Sequence, residues 1–316
     1  MSFESLAGAL DRQREYSELF FDPSCLAGKE KEEITKTFAL SLHNEVSEIA
    51  SAVNFKDHRR VQVPVDHNKL LYKSVDAFRY VLALLNLWEI DSQTFIDACE
   101  DKDLYLHRRH FESENKRGDK PVIIFDADDV IAEFRSSFFK YLDSKWGIKA
   151  DPNDKQYYSA AELQKNGIDS ETAFDAFIAD GGFRDLEVNK TVFGAMKMCR
   201  EAGYWVQILT ARPSGNLKCF YDTHRWLHNE EIPYDSIAFS TEKYLWLTGQ
   251  DFYTKKQFVC AVDDSSKHAS EFAKHGVRVI VPSKSYNEDT AGVNGVSRVD
   301  FDSMTSEQLF NLITRV

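Results

Sequence analysis

Cysteine is sparse in this sequence. Five residues, Cys25, Cys99, Cys199, Cys219 and Cys260, are scattered over 316 positions without a CxxC pair. That argues against a disulfide framework and for reduced, mostly buried thiols. Long apolar runs are missing as well: nothing approaches the ~18 uninterrupted apolar residues of a membrane-spanning helix. The opening MSFESLAGALDRQREYSELF lacks a basic stretch followed by an apolar core, so no secretory leader is read there. A cytoplasmic protein with no membrane partner is expected. Positive charge is also in deficit, with a net charge of −12 and neither half basic. Such a chain is a poor general binder of duplex nucleic acid, because it cannot neutralise many phosphates. Small phosphorylated ligands remain open to it if metal ions supply the positive charge. Internal repeats and low-complexity tracts are absent.

What is present divides into two parts. Residues 1–111 read as almost entirely helical. Over 32–53, Ile34, Phe38, Leu42, Val46, Ile49 and Val53 recur every three or four positions, as one helix face requires. Leu71, Val75, Phe78, Leu82, Leu85 and Trp88 repeat this over 70–88, and a third helix over 92–110 follows the capping pair Asp91-Ser92. The polar stretch 54–68 reads as a loop. Polar SENKRGDK, residues 113–120, marks a boundary, giving an all-α domain over 1–116 and a second domain over 117–316. In the second, short β-branched runs at 122–126, 205–210, 236–240, 258–263 and 277–281 alternate with helical stretches. That predicts an α/β fold, a doubly wound parallel sheet covered on both faces. Residues 133–190 contain no convincing strand, are rich in aromatic residues, and read as a small helical insertion, a cap, after the first strand.

Ligands of doubly wound sheets sit at the carboxyl ends of the strands. Here the first run ends in Asp126-Ala127-Asp128-Asp129, the second in Thr210-Ala211-Arg212-Pro213, and the fourth in Asp263-Asp264-Ser265. The two-residue spacing sends the carboxylates of Asp126 and Asp128 to one side of an extended backbone. Crowding them costs electrostatic energy unless something positive lies between them. Isolated, each motif would be an ordinary helix cap or turn. Their occurrence on successive parallel strands predicts one site.

With these residues in view, DADDV, ILTARP and VDDS resemble motifs of the haloacid dehalogenase superfamily, over roughly 120–316. The resemblance implies a Rossmann-like core and a hydrolase that removes phosphate through an aspartyl-phosphate. In it, Asp126 is the nucleophile and Asp128 the general acid and base. Mg2+ is held by Asp126, the main-chain carbonyl of Asp128, and Asp263, with Asp264 helping directly or through water. Thr210 donates to a phosphoryl oxygen. The family also uses a lysine; Lys243 is the first candidate and Lys256 the reserve. The cap segment Gly181-Gly182-Phe183-Arg184-Asp185-Leu186, with Phe134-Arg135-Ser136-Ser137-Phe138, is similar to the 5'-nucleotidases and deoxyribonucleotidases of the superfamily. This implies a nucleoside monophosphate substrate, with Phe183 (or Phe134 or Phe138) stacking on a base, Arg184 as a further substrate contact, and Arg212 either reaching the substrate phosphate or sugar or pairing with an acidic neighbour such as Asp264.

In the helical part, Glu45 and Glu48 share a helix face, and Asp76 projects from the next long helix. This resembles the all-α nucleoside triphosphate pyrophosphatases of the MazG and dimeric dUTPase group, which carry ExxE and ExxD around Mg2+. Lys102 and Arg109 resemble the basic residues that hold phosphates there. The sequence departs from that pattern at Lys73, where an acid is expected. Three readings stay open: an altered pyrophosphatase feeding the second domain, a nucleotide-binding domain without catalysis, or a module joining a homo-oligomer. A phosphatase acting on polynucleotide ends is the alternative for the chain as a whole.

Overall fold

The computed structural model describes residues 5–53, 64–114 and 117–315, with side chains 107–114 outside the description. The chain divides into two compact units, Met1–Glu100 and Asp101–Val316.

The first unit is helical. α1 (Leu6–Ser17) starts where the Ser5 side chain accepts from the Gly8 amide; α2 (Gly28–Ser51) and α3 (His67–Leu87) follow, and Asp66 caps α3 by accepting from Lys69. The sequence placed the start of α3 three residues later and did not single out α1. Of the expected loop, residues 54–63 lie outside the described residues. Ala9, Leu10, Leu82 and Leu85 form a small core between α1 and α3, while α2 buries none of its residues. α4 (Ser92–Glu114) begins in this unit and ends in the second. The polar segment after residue 116 suggested a later break. The division falls inside α4 because the Tyr105 ring packs on Phe220 and His224, while Lys102 donates to the Tyr221 hydroxyl at 2.9 Å.

The second unit is α/β. Its strands are β1 (Val122–Phe125), β2 (Trp205–Thr210), β3 (Ser236–Phe239), β4 (Phe258–Val262), β5 (Val279–Pro282) and β6 (Val296–Val299). They form one sheet in the order β3-β2-β1-β4-β5-β6, with every pairing parallel. Between β1 and β2 run α5 (Phe134–Trp146), α6 (Ala160–Lys165), α7 (Ser170–Ala179) and α8 (Lys190–Glu201). The first three make the cap, which contains no strand, as expected. α9 (Leu217–Asn229) joins β2 to β3; α10 (Lys243–Thr248) and α11 (Asp251–Thr254) join β3 to β4; α12 (Ser266–Lys274) precedes β5, and α13 (Ser306–Thr314) follows β6. Strand alternation feeds two cores. Ile123 and Phe125 face one layer with Phe138, Met196, Trp226 and Leu309. Val122 and Ile124 face the other with Leu247, Phe252 and Phe272. Burying each large apolar side chain contributes roughly 1.5–3 kcal/mol, so the sheet is fixed from both sides. β6, which the sequence did not reveal, is a half-buried VSRV edge.

The chain runs outward from β1 through β2 to β3 and then returns to place β4 on the other side of β1. Connections therefore diverge above the carboxyl ends of β1 and β4, which opens a crevice there.

Candidate active site

Three carboxylates meet at that crevice. Asp126 leaves β1 with its amide bonded to the Val262 carbonyl at 2.8 Å, so it is still sheet-anchored where its side chain emerges. Asp263 and Asp264 leave β4. Their carboxylate oxygens and that of Asp126 lie within 4.8 Å of one another, and all three residues are buried. Lys243, the first residue of α10, is fully buried. Its Nζ lies 2.7 Å from Asp126 Oδ2 and 2.7 Å from Asp263 Oδ2. Lys256, the reserve candidate, is exposed and sits outside the site.

Burial and charge set opposite protonation tendencies within this group. Asp126 is pushed up to about 6 by burial, with Asp263 and Asp128 adding to the shift and Lys243 opposing it. Asp264 is raised well above the usual carboxylate range by burial and by Asp126, Asp129 and Asp263. Burial also pushes on Asp263, but the Lys243 ammonium and His268 outweigh it and hold it at about 2. A crowded, desolvated carboxylate trio of this kind suits a hard divalent cation, which takes oxygen ligands and offsets their mutual repulsion. The residues therefore fit the Mg2+ expected from the sequence.

Asp128 is turned elsewhere. Its carboxylate accepts from Arg212 Nε at 3.1 and 3.0 Å and from Arg212 Nη2 at 2.6 Å. Its carboxylate is thus held by Arg212 while still bordering the cavity. Arg212 is itself buried, with Nη1 donating to Thr223 Oγ1 at 3.1 Å. Thr210, fully buried at the end of β2, accepts from the Arg212 amide at 3.2 Å.

A cavity of about 610 Å³ opens over Asp126, Asp128, Arg212 and Asp264. From the cap side it is walled by Phe134, Tyr157, Tyr158 and Phe174; from the sheet side it meets the first turn of α12, including His268. His268 Nδ1 lies 3.6 Å from Asp263 Oδ1.

Two expected substrate contacts are placed differently. Phe183 is 1% exposed and does not line this cavity. It stacks against Phe134 with centroids 5.6 Å apart, meets Phe174 and Phe177 edge-on, and lies 4.4 Å from the Arg212 guanidinium. Gly182 permits this packing, since a Cβ there would meet the Phe177 ring at 2.4 Å. Phe138, also buried, stacks behind Phe134 at 5.7 Å. Of the three aromatic candidates, Phe134 is therefore the one on the cavity wall. Arg184 points to Asp222 and Asp101, at 3.0 and 3.3 Å, and serves an ionic network instead of the cavity.

The sequence reading gave no role to three neighbours. Tyr286, following β5, donates to Asp264 Oδ2 at 2.6 Å and to Asp129 Oδ2 at 3.3 Å. Asp129 takes a left-handed backbone, φ +51°, as the chain turns off β1; burial pushes it up to about 6. Arg135, on α5, donates to the carbonyls of Pro152 (2.7 Å), Asp154 (2.5 Å), Gln156 (3.2 Å) and Tyr157 (3.1 Å). Its guanidinium lies between the rings of Phe139 and Tyr286, at 4.7 and 5.0 Å. It thus ties down the loop that brings Tyr157 and Tyr158 to the cavity.

The acidic residues of the helical unit are arranged otherwise. Lys73 Nζ stands 3.1 Å from Glu45 Oε2, 3.0 Å from Glu48 Oε2 and 3.6 Å from Asp76 Oδ2. The lysine fills the place where a divalent ion was expected, and the cluster does not fit such an ion. Lys102 is held by Tyr221 in the second unit, with its ammonium over the rings of Tyr105 and Tyr221. The side chain of Arg109 lies outside the described residues.

No protein-family model matches the chain, and no curated protein matches it. Among solved structures it is similar to a predicted phosphoglycolate phosphatase from Haemophilus somnus 129PT. The identity is 13% and the TM-score 0.42, covering 62% of this chain and 99% of the other. A predicted phosphatase from Clostridium acetobutylicum gives 14% identity and a TM-score of 0.42, over 61% and 99% of the two chains. A HAD family hydrolase from Deinococcus radiodurans R1, with bound phosphate and sodium, gives 14% and 0.39, over 61% and 95%. At such low identity and TM-score the functional reading rests on the site's own residues. Among the described residues, no helix is long and apolar enough to cross a membrane.

Proposed function

We propose that the second unit is a Mg2+-dependent phosphomonoester hydrolase of the haloacid dehalogenase type, acting on nucleoside monophosphates. The observation that carries this reading is the buried lysine joining Asp126 to Asp263, beside Asp264, with Asp126 and Asp264 lining an aromatic-walled cavity. Asp126, Asp263 and Asp264 would hold Mg2+, which when bound would supply positive charge that offsets the phosphoryl oxygens. Asp126 attacks phosphorus with its carboxylate and carries the phosphoryl group as an acyl phosphate. Asp128 gives a proton to the departing ester oxygen, then takes one from the water that attacks the acyl phosphate. Arg212 holds Asp128 at the cavity wall for both transfers. Lys243 keeps positive charge beside the nucleophile throughout.

The cap wall supports a substrate whose leaving group is flat and aromatic. Tyr157, Tyr158 and Phe174, only partly buried, give aromatic surface on which a nucleobase would stack, with Phe134 packed behind them. A panel of phosphate esters tests this, measured as phosphate release with Mg2+ from the wild type and Asp126→Asn. Hydrolysis of nucleoside monophosphates ahead of glycerol phosphate or phosphoglycolate, lost in Asp126→Asn, is expected. Activity that survives in Asp126→Asn, or that prefers the non-aromatic esters, removes the proposal.

A homo-oligomer formed through the helical unit belongs to the same reading. α2 has no buried residue, and Leu40, Val46, Leu71, Tyr72, Val75 and Phe78 are exposed on α2 and α3. Exposed apolar side chains in this number on one helix pair support an association surface. A monomer mass in solution at micromolar concentration would exclude it. The cytoplasmic location expected from the sequence is kept as part of this proposal.

A further inference from the structure

α2 and α3 lie side by side in the helical unit, and the charges on their facing sides alternate by helical spacing. Glu45 and Glu48 on α2 meet Lys69, Lys73 and Asp76 on α3. Lys73 Nζ is shared by three carboxylates drawn from both helices. Hydrogen bonds that the ammonium donates to Glu48 and Glu45 raise the lysine well above its usual range, so it stays charged. One turn earlier, Lys69 donates to Ser51 Oγ at 2.9 Å and adds its charge to the field at Glu48.

Lys243 also bridges carboxylates in the sheet unit, and the two arrangements differ in one respect that decides between them. Asp126, Asp263 and Asp264 bring carboxylate oxygens within 4.8 Å of one another. Among the described residues, Glu45, Glu48 and Asp76 form no such group. Each reaches the ammonium from its own side, around an Nζ that keeps them apart. A small hard cation draws its ligands to about 2.0–2.1 Å, which needs oxygens already close to one another. Here an incoming divalent ion would have to displace Lys73 before the three carboxylates could close on it. Burial differs too: the sheet trio is buried, whereas Glu48 and Asp76 are partly open to water, which already solvates their charge.

We infer that Lys73 is the resident cation of the helical unit, a side-chain substitute for a metal ion, and that this unit takes no divalent cation. Among the described residues, a single divalent-ion site then remains, that of Asp126, Asp263 and Asp264. Metal-assisted cleavage of a phosphoanhydride has no seat between α2 and α3. The inference concerns ion binding alone and does not rest on the phosphatase reading.

Counting bound Mn2+ tests it, by electron paramagnetic resonance of the free ion during titration of the full chain. The wild type is expected to bind a single ion per chain, and Asp263→Asn to bind none. Glu45→Gln and Glu48→Gln are expected to leave the count unchanged. Lys73→Asp, which replaces the ammonium by a fourth acid, is expected to add a second ion that persists alongside Asp263→Asn. A wild type that binds two ions, one surviving in Asp263→Asn and lost in Glu45→Gln, overturns the inference. So does Lys73→Asp with no added ion, provided circular dichroism shows its helices intact. A wild type that binds none removes the metal role of the sheet unit and leaves the inference about Lys73 standing.

Discussion

Arg212 grips both carboxylate oxygens of Asp128, with three N···O distances between 2.6 and 3.1 Å. A planar fork can hold a carboxylate in one orientation, whereas a lysine supplies only a point charge. Arg212→Lys is therefore expected to leave the protein folded and slow its turnover. Proton transfer by a positioned acid is worth ~10²–10⁴ in rate, and a loss of roughly 10²-fold in kcat with little change in KM is expected. Steady-state phosphate release checks this. A kcat within about threefold of wild type would mean that Asp128 needs no such holder.

Lys243 balances two buried carboxylates. Removing one partner from a buried ionic group typically costs about 3–5 kcal/mol, because the remaining charges lose their compensation. Lys243→Met should accordingly lower the denaturation midpoint strongly in EDTA. Saturating Mg2+ should recover part of the loss, since an ion bound as proposed would compensate the same carboxylates. Urea melts with and without Mg2+ decide; equal melts for mutant and wild type in EDTA contradict the pairing.

Asp126 provides a pH prediction for the metal-free protein. Its carboxyl is raised from 3.8 to about 6, so the folded chain keeps a proton that the unfolded chain releases. Its contribution to stability is complete below about pH 4 and is lost as pH rises through about 6, by an amount on the order of 3 kcal/mol. Asp126→Asn cannot titrate. In EDTA, the stability of wild type minus that of Asp126→Asn is expected to fall between pH 4 and 7. Mg2+ should flatten or reverse that difference by favouring the ionised form. A difference that rises with pH in EDTA is the contrary result.

Arg135 predicts a separation of binding from chemistry. Arg135→Met removes every donor that ties residues 152–157 to α5 but touches none of the reacting groups. KM for a nucleoside monophosphate is expected to rise by about tenfold, with kcat altered less, as positioning losses do. Limited proteolysis should cut within 152–157 sooner than in the wild type. A mutant with unchanged KM and unchanged cleavage would leave Arg135 without a role in the wall.

The parts of this architecture that were legible in the sequence are those written as local pattern. Acidic residues ending apolar runs marked Asp126, Asp128 and Asp263, and β2 was bounded correctly because Trp205–Thr210 is an uninterrupted buried strand. Parts that depend on packing were not legible. Nothing local distinguishes Phe183 from Phe134; both are buried, and the close Gly182–Phe177 approach goes with a Phe183 seated away from the cavity that Phe134 borders. Arg135 bonds to main-chain carbonyls, which leave no trace in residue identity. Tyr286 reaches Asp264 across 22 positions, through the return of β5. Lys73 was visible as a departure from an acidic pattern, but its shared position among three carboxylates required both helices.

The stacking of Arg212 between Phe183 and Trp226, at 4.4 and 5.1 Å, makes the apolar interior an instrument of proton transfer. Its guanidinium is seated on ring faces, so the aim of the Asp128 carboxyl inherits whatever slack those rings allow. A conservative repacking such as Phe183→Leu would then announce itself as sluggish turnover well before any melting curve shifted, and the loss would deepen on warming.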